Sequence, residues 1–422
     1  MKVRGSVSVP GDKSITHRML TLAALAPGTS QIGGALTSLD ARSSAAVLRR
    51  LGAEISPLRS GRSLRIKGRQ RFREPSGVLY CGNSGTTARL LMGTLAGHDF
   101  PATVTGDRSL SRRPMRRVTI PLRRMGARAD HEADDGLPVT IRGGRLEPLR
   151  YEMPVASAQV KGCLLLAGLI GGVPVSLREP APSRDHTERL LRSFGYSVTE
   201  ADGWIEFVPQ GSIEPFQADV PGDVSSAAFL VGLALLAEGG ELRISGVGLN
   251  PTRTAFLDVL ERMGASVDVE TTGTSAGEPM GDLVVRPGLL SGVEVKSEEI
   301  PGIIDEIPML AVLASRAEGT TIFREAGELR VKESDRLGLL ASNLRGLGAS
   351  AEVSGDDLVV EGADRPARGA VRTAGDHRLA MAFTVLGTVP GAAVLVDNIG
   401  CVDVSFPGFL TTLKALQRRG RE

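Results

Sequence analysis

The amino-acid sequence predicts a soluble α/β protein of two lobes, each assembled from three related units. Three observations carry this expectation. The first is a recurring helix end. It reads LRRLGAEIS around Gly52, LRRMGARAD around Gly126, LRSFGYSVTE around Gly195, LERMGASVDVE around Gly264 and LRGLGASAEV around Gly348, at steps of 69 to 84 residues. A leucine-rich charged stretch, then Gly, then alternating residues describes a helix, a left-handed stop and a strand. The terminal LKALQRRG is a degenerate sixth copy. The second observation is a set of six polar clusters, each opening an apolar stretch: GDKSITHRMLTLAAL, GNSGTTARLLMGTLAG, SAQVKGCLLLAGL, GDVSSAAFLVGLALLA, DEIPMLAVLAS and GDHRLAMAFTVLG. Ser14, Ser84, Ser157, Ser225, Asp305 and Asp376 mark them at steps of 68 to 80 residues, and each is a helix N-cap type. The runs that follow are apolar nearly all round, which predicts buried helices. The third is length: 422 residues exceed one ordinary core. Six units of roughly 70 residues then fall into two sets of three.

Composition narrows the function. Fifty basic residues nearly balance 48 acidic ones, which argues against a nucleic-acid-coating protein or a polybasic membrane binder. Aromatics at 4% leave little for base stacking. Cys81, Cys163 and Cys401 are far apart and odd in number, which fits a reducing cytoplasm. The longest apolar run, near Cys163 to Leu177, is too short and too interrupted to cross a bilayer, and no leader peptide precedes the first motif. The five histidines show no HxH or HExxH spacing, so no histidine-based metal site is expected. A dinucleotide fingerprint is likewise missing, so a dinucleotide cofactor is not expected, and no hydrolase elbow is evident.

The polar clusters point to anions. Helix N-termini present free N–H groups and partial positive charge, and several together suit a multiply anionic phosphate or carboxylate held between domains. Lys13 and Arg18 flank the first helix start, although GDKS lacks the spacing of a Walker loop. GNSGTT is small enough for close backbone approach to a ligand. Arg112, Arg113, Arg116 and Arg117 in SRRPMRR can fork onto carboxylate or phosphate. Ser157, Gln159 and Lys161 can hydrogen-bond a polyol, and Ser183 with Arg184 adds to them, or else forms a helix cap. Lys332 and Arg336, four apart in LRVKESDR, would share a helical face beside Glu333. Asp305 and Glu306 precede an apolar helix, where Asp305 could serve as its cap, and Arg378 stands beside His377 and Asp376.

Taken in order over almost the full length, PGDKSITHR, GNSGTTARL, SRRPM, SAQVKG, SRDHTE, IDEIP, LRVKESDRL and GDHRLAM resemble the 5-enolpyruvylshikimate-3-phosphate synthase family of enolpyruvyl transferases. The resemblance implies a two-domain inside-out α/β barrel, each domain three βαβαββ repeats, with residues 1–12 and 222–422 in one domain and 13–221 in the other. It implies transfer of the enolpyruvyl group of phosphoenolpyruvate to the 5-hydroxyl of shikimate 3-phosphate, through a tetrahedral intermediate that loses phosphate. These two small molecules are the implied partners of a cytoplasmic monomer without cofactor or metal, its domains closing when shikimate 3-phosphate binds. Matched motif by motif, Lys13, Ser14, Arg18, Ser157, Ala158, Gln159, Arg184, Asp305 and Lys332 would hold shikimate 3-phosphate. Lys13, Gly85, Arg113, Gln159, Arg336 and Arg378 would hold phosphoenolpyruvate. Asp305 is the implied base, and Glu333 the implied acid at C3, with Lys13 sharing in the catalysis. Two carboxyl groups in different environments suit a reaction that removes one proton and delivers another. The cations beside Glu333 favour its ionised form and so oppose that donor role.

One position departs from the family pattern: Val404 in CVDVSFP stands where many members carry a lysine. Gly85 is unsubstituted, which leads to the expectation that glyphosate competes with phosphoenolpyruvate. The sister transferase acting on UDP-N-acetylglucosamine is the nearest alternative, but it carries a KN pair and a mobile-loop cysteine that this chain lacks. A non-catalytic anion-binding module is the other, and retention of both Asp305 and Glu333 argues against it.

Overall fold

A computed structural model describes residues 1–132 and 134–419. The chain forms two compact units: an N-unit of Gly11–Val220 with Thr274–Glu278, and a C-unit of Met1–Pro10, Pro221–Gly273 and Pro279–Glu422. Each has its own apolar core.

The helices are α1 (Lys13–Leu25), α2 (Leu39–Arg50), α3 (Gly85–Leu95), α4 (Arg116–Arg124), α5 (Ala158–Gly171) and α6 (His186–Ser193) in the N-unit. The C-unit carries α7 (Val224–Leu235), α8 (Ala255–Arg262), α9 (Ile300–Ile303), α10 (Ile307–Ala314), α11 (Arg336–Gly346), α12 (His377–Leu386) and α13 (Phe409–Arg419). Five glycines past helix ends, at 52, 126, 195, 264 and 348, all have positive φ, the conformation the recurring pattern requires. The sixth copy is α13; its Gly420 lies outside the described residues.

The sheets repeat one plan. In the N-unit, Gly28–Gly33 lies between parallel Gln217–Asp219 and antiparallel Leu64–Gly68, with Glu54–Ile55 beyond. Pro101–Thr105 lies likewise between Leu79–Tyr80 and Val139–Arg142, and Val175–Arg178 between Leu149–Glu152 and Trp204–Val208. In the C-unit, Leu242–Gly248 pairs with parallel Gly5–Ser8 and antiparallel Glu278–Arg286. Thr320–Phe323 does the same with Glu294–Val295 and Asp357–Glu361. The third C-unit copy is shorter: Arg368–Val371 pairs in parallel with Ala393–Val396.

The buried helices are α1, α3, α5, α7, α10 and α12, each apolar nearly all round as the sequence predicts. Their close packing depends on missing side chains. A Cβ on Gly93 of α3 would lie 2.1 Å from the Cys163 carbonyl oxygen of α5, so only glycine lets these helices approach so closely.

The caps differ in detail from expectation. Asp12, not Ser14, caps α1 by accepting the Ile15 N–H at 2.8 Å. Asp223, not Ser225, caps α7. Ser84, Ser157 and Asp376 cap α3, α5 and α12. Asp305 is not a cap; Glu306 occupies the position before α10 without a side-chain capping bond. Among the described residues, no helix is long and apolar enough to cross a membrane.

Candidate active site

The polar helix starts gather into one cluster per unit. In the N-unit the gathering agent is arginine. Arg18, one turn into α1 and 2% exposed, donates from Nε to the Thr187 hydroxyl of α6 at 2.7 Å. It also donates to the Ala158 carbonyl at the start of α5 (3.2 Å) and to the Ser14 carbonyl (3.0 Å). Burial lowers this guanidinium to about 10, with Glu188 and Asp12 opposing the fall. Lys13 lies 3.4 Å from Asp40 of α2.

The second group in the N-unit surrounds Gly85. A Cβ there would sit 3.1 Å from Arg89 Nη1 and 3.2 Å from Arg113 Nη1, so two guanidinium groups converge on the α3 N-terminus. Arg89 donates to Gln159 Oε1 and to the Pro114 carbonyl, while Gln159 Nε2 donates to the Thr86 hydroxyl at 3.0 Å. Arg113 donates to Asn83 Oδ1 at 2.5 Å, and Asn83 is tied to Asp107. Of the SRRPMRR arginines only Arg113 is buried; Arg112 and Arg116 face solvent. Arg184 is half-buried in the turn before α6.

In the C-unit the gathering agents are carboxylates around one arginine. Arg336, the first residue of α11 and fully buried, donates from Nε to Asp376 Oδ2 at 2.7 Å. It donates to Asp305 at 3.3 Å and forms a close pair with Glu333. Burial opposes its charge, but Asp376, Glu333 and Asp305 outweigh burial and hold the group above its ordinary value. Asp305 also receives Arg378 Nη2 at 3.3 Å, and Arg378 Nη1 donates to the Asp305 carbonyl at 3.1 Å. Three groups expected to act together, Asp305, Glu333 and Arg336, therefore meet.

Several placements correct the sequence reading. Lys332 and Arg336 do not share a helical face: Lys332 follows a 3-10 turn (Ala326–Val331) and α11 starts only at Arg336. Lys332 pairs with Glu328 at 3.4 Å, and burial lowers its ammonium below the ordinary value while Glu328 and Asp305 oppose. Lys161 is not available to a polyol, because it is 2% exposed between Glu179 and Glu188, at 2.7 Å from each. Ser183 is not a helix cap; it donates to Glu179 at 2.5 Å. Val404 closes a 3-10 turn (Ile399–Val404) packed on α12.

Sequence reasoning passed over three contributors, Arg89, Arg253 and Glu179. Arg89 lies four residues after Gly85, one helical turn on the same face, and that spacing was the available signal. Arg253 and Glu306 meet at the Ser225 hydroxyl, which receives Arg253 Nη2 at 2.7 Å and donates to Glu306, all buried. This pins the residue next to Asp305, and no local pattern announces it. Glu179 is the third. Among the described residues, no group of three or more His, Cys, Asp or Glu is arranged to hold a metal.

Comparison with known proteins places these clusters in context. A family model for EPSP synthase (3-phosphoshikimate 1-carboxyvinyltransferase) matches residues 1–413. The proteins named 3-phosphoshikimate 1-carboxyvinyltransferase from Desulforamulus reducens and Shouchella clausii are each 44% identical over 98% of this chain, covering 97% and 96% of their own lengths. The one from a Synechococcus species is 48% identical over 98% of this chain and 94% of its own. Among solved structures, EPSP synthase from Acinetobacter baumannii superposes with a TM-score of 0.87 at 38% identity, covering 99% of this chain and 96% of that one. An enolpyruvyl transferase from Streptomyces tendae, at 20% identity and a TM-score of 0.78, covers 99% of this chain and 95% of its own and shares the fold.

Proposed function

The chain belongs to the EPSP synthase (3-phosphoshikimate 1-carboxyvinyltransferase) family, and from that premise we propose how its two clusters divide the reaction. The reaction is transfer of the enolpyruvyl group of phosphoenolpyruvate to the 5-hydroxyl of shikimate 3-phosphate, with release of phosphate, in the shikimate pathway. The fold class is the family's two-domain α/β type, with helices buried inside small mixed sheets.

In our reading the N-unit cluster grips anions. Lys13, Ser14, Arg18, Ser157, Ala158, Gln159 and Arg184 hold shikimate 3-phosphate, helped by Asp305 and Lys332. Gly85, Arg113 and Gln159 hold phosphoenolpyruvate together with Lys13, Arg336 and Arg378. Arg89, which sequence reasoning passed over, braces this second group by fixing Gln159. The C-unit cluster moves protons. Asp305 takes the proton of the 5-hydroxyl as its oxygen bonds to C2 of phosphoenolpyruvate. Glu333 delivers a proton to C3, turning the methylene into a methyl. Return of a methyl proton to the Glu333 carboxylate then expels phosphate from C2 and restores the double bond as an enol ether. A positioned acid or base contributes about 10²–10⁴ in rate.

The observation that carries this reading is Arg336. One buried guanidinium pairs with both Asp305 and Glu333, so the proposed base and acid are held by a single rigid cation, and Glu333 must take up a proton against that cation before it delivers one to C3. The direct experiment is phosphate release with both substrates present: release only when both are added is the expected result. Binding of both without release would instead favour an anion-binding module. We read the chain as a cytoplasmic monomer; its three free cysteines support a reducing compartment, and light scattering in solution tests the oligomeric state.

A further inference from the structure

Behind the N-unit cluster lies a buried charge group that the reaction as described does not use. Lys161 of α5 has its ammonium 2.7 Å from Glu179 Oε2 and 2.7 Å from Glu188 Oε1, with the Ser183 carbonyl at 3.3 Å. The three side chains are 2%, 6% and 1% exposed. Burying one ion alone costs several kcal/mol, so such a group persists only when its members satisfy one another. The neighbouring Gly162 lets α5 lie close to α6 and Arg18: a Cβ there would stand 2.8 Å from the Thr187 hydroxyl and 3.4 Å from Arg18 Nη2.

Glu179 does more than pair with Lys161. Its Oε1 accepts the backbone N–H of Ser157 at 3.2 Å and the hydroxyl of Ser183 at 2.5 Å; its Oε2 accepts the Ser183 N–H at 3.3 Å. One carboxylate thus ties the cap of α5 to the turn that carries Arg184. The Ser157 hydroxyl oxygen accepts the Val160 N–H at 3.4 Å, which leaves its own proton to donate outward. The difficulty is charge. A carboxylate beside a phosphate-binding surface repels the phosphate, unless a cation cancels it.

We propose that Glu179 is a positioning residue for shikimate 3-phosphate, fixing Ser157 and the Ser183–Arg184 turn, and that Lys161, shared with Glu188, offsets its charge so that a carboxylate can brace an anion site. Glu188 completes the arrangement by holding Lys161 from the other side. Burial pushes the Glu188 carboxyl above its ordinary range, while Lys161 opposes that rise. The inference rests on reading the N-unit cluster as the shikimate 3-phosphate side.

The test is steady-state kinetics with each substrate varied in turn, on Glu179→Gln, Lys161→Met and the double variant. Glu179→Gln raises KM for shikimate 3-phosphate about tenfold or more, with kcat and KM for phosphoenolpyruvate within about threefold. Lys161→Met raises the same KM further, because the carboxylates then repel the phosphate without a cation between them. The double variant regains part of the affinity lost in Lys161→Met, because it removes one of the two carboxylates left without their cation. Equal rises in both KM values, a fall in kcat alone, or a double variant worse than Lys161→Met overturns the proposal. Should Lys161→Met fail to fold, the KM split in Glu179→Gln decides alone. Ser157→Ala checks the underlying reading. If it leaves KM for shikimate 3-phosphate unchanged, the assignment of that substrate to this cluster fails. If it raises KM and Glu179→Gln does not, only the positioning role fails.

Discussion

The two units hold their arginines in opposite ways. In the N-unit, Arg18 and Arg89 bond to hydroxyl, carbonyl and amide oxygens, neutral groups that fix geometry without cancelling charge. In the C-unit, Arg336 meets Asp376, Asp305 and Glu333, and Arg378 meets Asp305. A cation among neutral oxygens keeps its attraction for an incoming anion. A cation among carboxylates divides that attraction between orienting them and meeting the phosphoenolpyruvate that Arg336 and Arg378 are proposed to hold. The same residue type therefore builds a receptor in one unit and an acid–base frame in the other.

The sharpest way to break this comparison is to neutralise the C-unit carboxylates. Asp305→Asn and Glu333→Gln should each lower kcat by about 10²–10⁴, with both KM values changed only severalfold. Parallel losses in kcat and in affinity for either variant would mean that the carboxylates serve binding, and the contrast between the units would collapse. Next in size is stability. Arg336→Met leaves three carboxylates facing a neutral side chain, and breaking such a buried group costs about 3–5 kcal/mol. Arg89→Met leaves neutral acceptors and should cost about 1–3 kcal/mol. Urea unfolding of both variants checks the order; equal losses would count against it.

Much of this was legible in the sequence. The five glycines announced helix ends because a left-handed residue is needed there and glycine adopts it without strain. The apolar runs announced buried helices because nothing on them could face water. Which polar residue caps each helix was not legible: Asp12 rather than Ser14, and Asp223 rather than Ser225, are chosen by the backbone's entry angle. Lys161 was misread for a related reason. On an otherwise apolar helix a lysine either reaches out or finds buried carboxylates, and its partner Glu179 comes from a distant strand end. Lys332 and Arg336 were misread because periodicity was assumed across a turn that the helix does not include. Neutral supports such as Gln159 for Arg89 carry no sequence signature, so the receptor side was harder to read than the charged motifs.

A third test concerns how the N-unit avoids unwanted charge. His17 sits between Lys13 and Arg18 on α1, fully buried, with its titration lowered to about 3 by burial first and by those two cations next. Its Nδ1 lies 2.7 Å from the Ser44 hydroxyl, Ser44 lies 2.7 Å from Thr87, and Thr87 donates to Ser84 at 2.7 Å. Since Thr87 gives its proton to Ser84, Ser44 gives its own to Thr87, and His17 must donate from Nδ1 as the neutral ring. The folded value lies below the ordinary 6.5, so the unfolded chain binds the extra proton first as pH falls. Stability from this group is full above about pH 6.5 and is lost towards pH 3, at about 1.4 kcal/mol per pH unit. His17→Asn should remove about 2 kcal/mol of the decline between about pH 6 and 4.5. An unchanged slope in unfolding experiments over that range would show that His17 is not held neutral.

The smallest effect is expected where the receptor comes closest to its ligand. Gly85→Ala places a methyl 3.1 Å from Arg89 Nη1 and 3.2 Å from Arg113 Nη1, tighter than ordinary contact. The obstructing atoms are ends of flexible side chains, so they yield by a few tenths of an ångström and the fold survives. A guanidinium displaced that far loses alignment with a bound carboxylate or phosphate rather than losing it altogether. KM for phosphoenolpyruvate should rise about tenfold, the equivalent of about 1.4 kcal/mol, while KM for shikimate 3-phosphate stays within about twofold. In the unsubstituted chain, glyphosate should compete with phosphoenolpyruvate; unchanged turnover at millimolar inhibitor and low phosphoenolpyruvate would refute that. A rise in the shikimate 3-phosphate KM alone in Gly85→Ala would move phosphoenolpyruvate away from α3 and assign Arg113 to the other substrate.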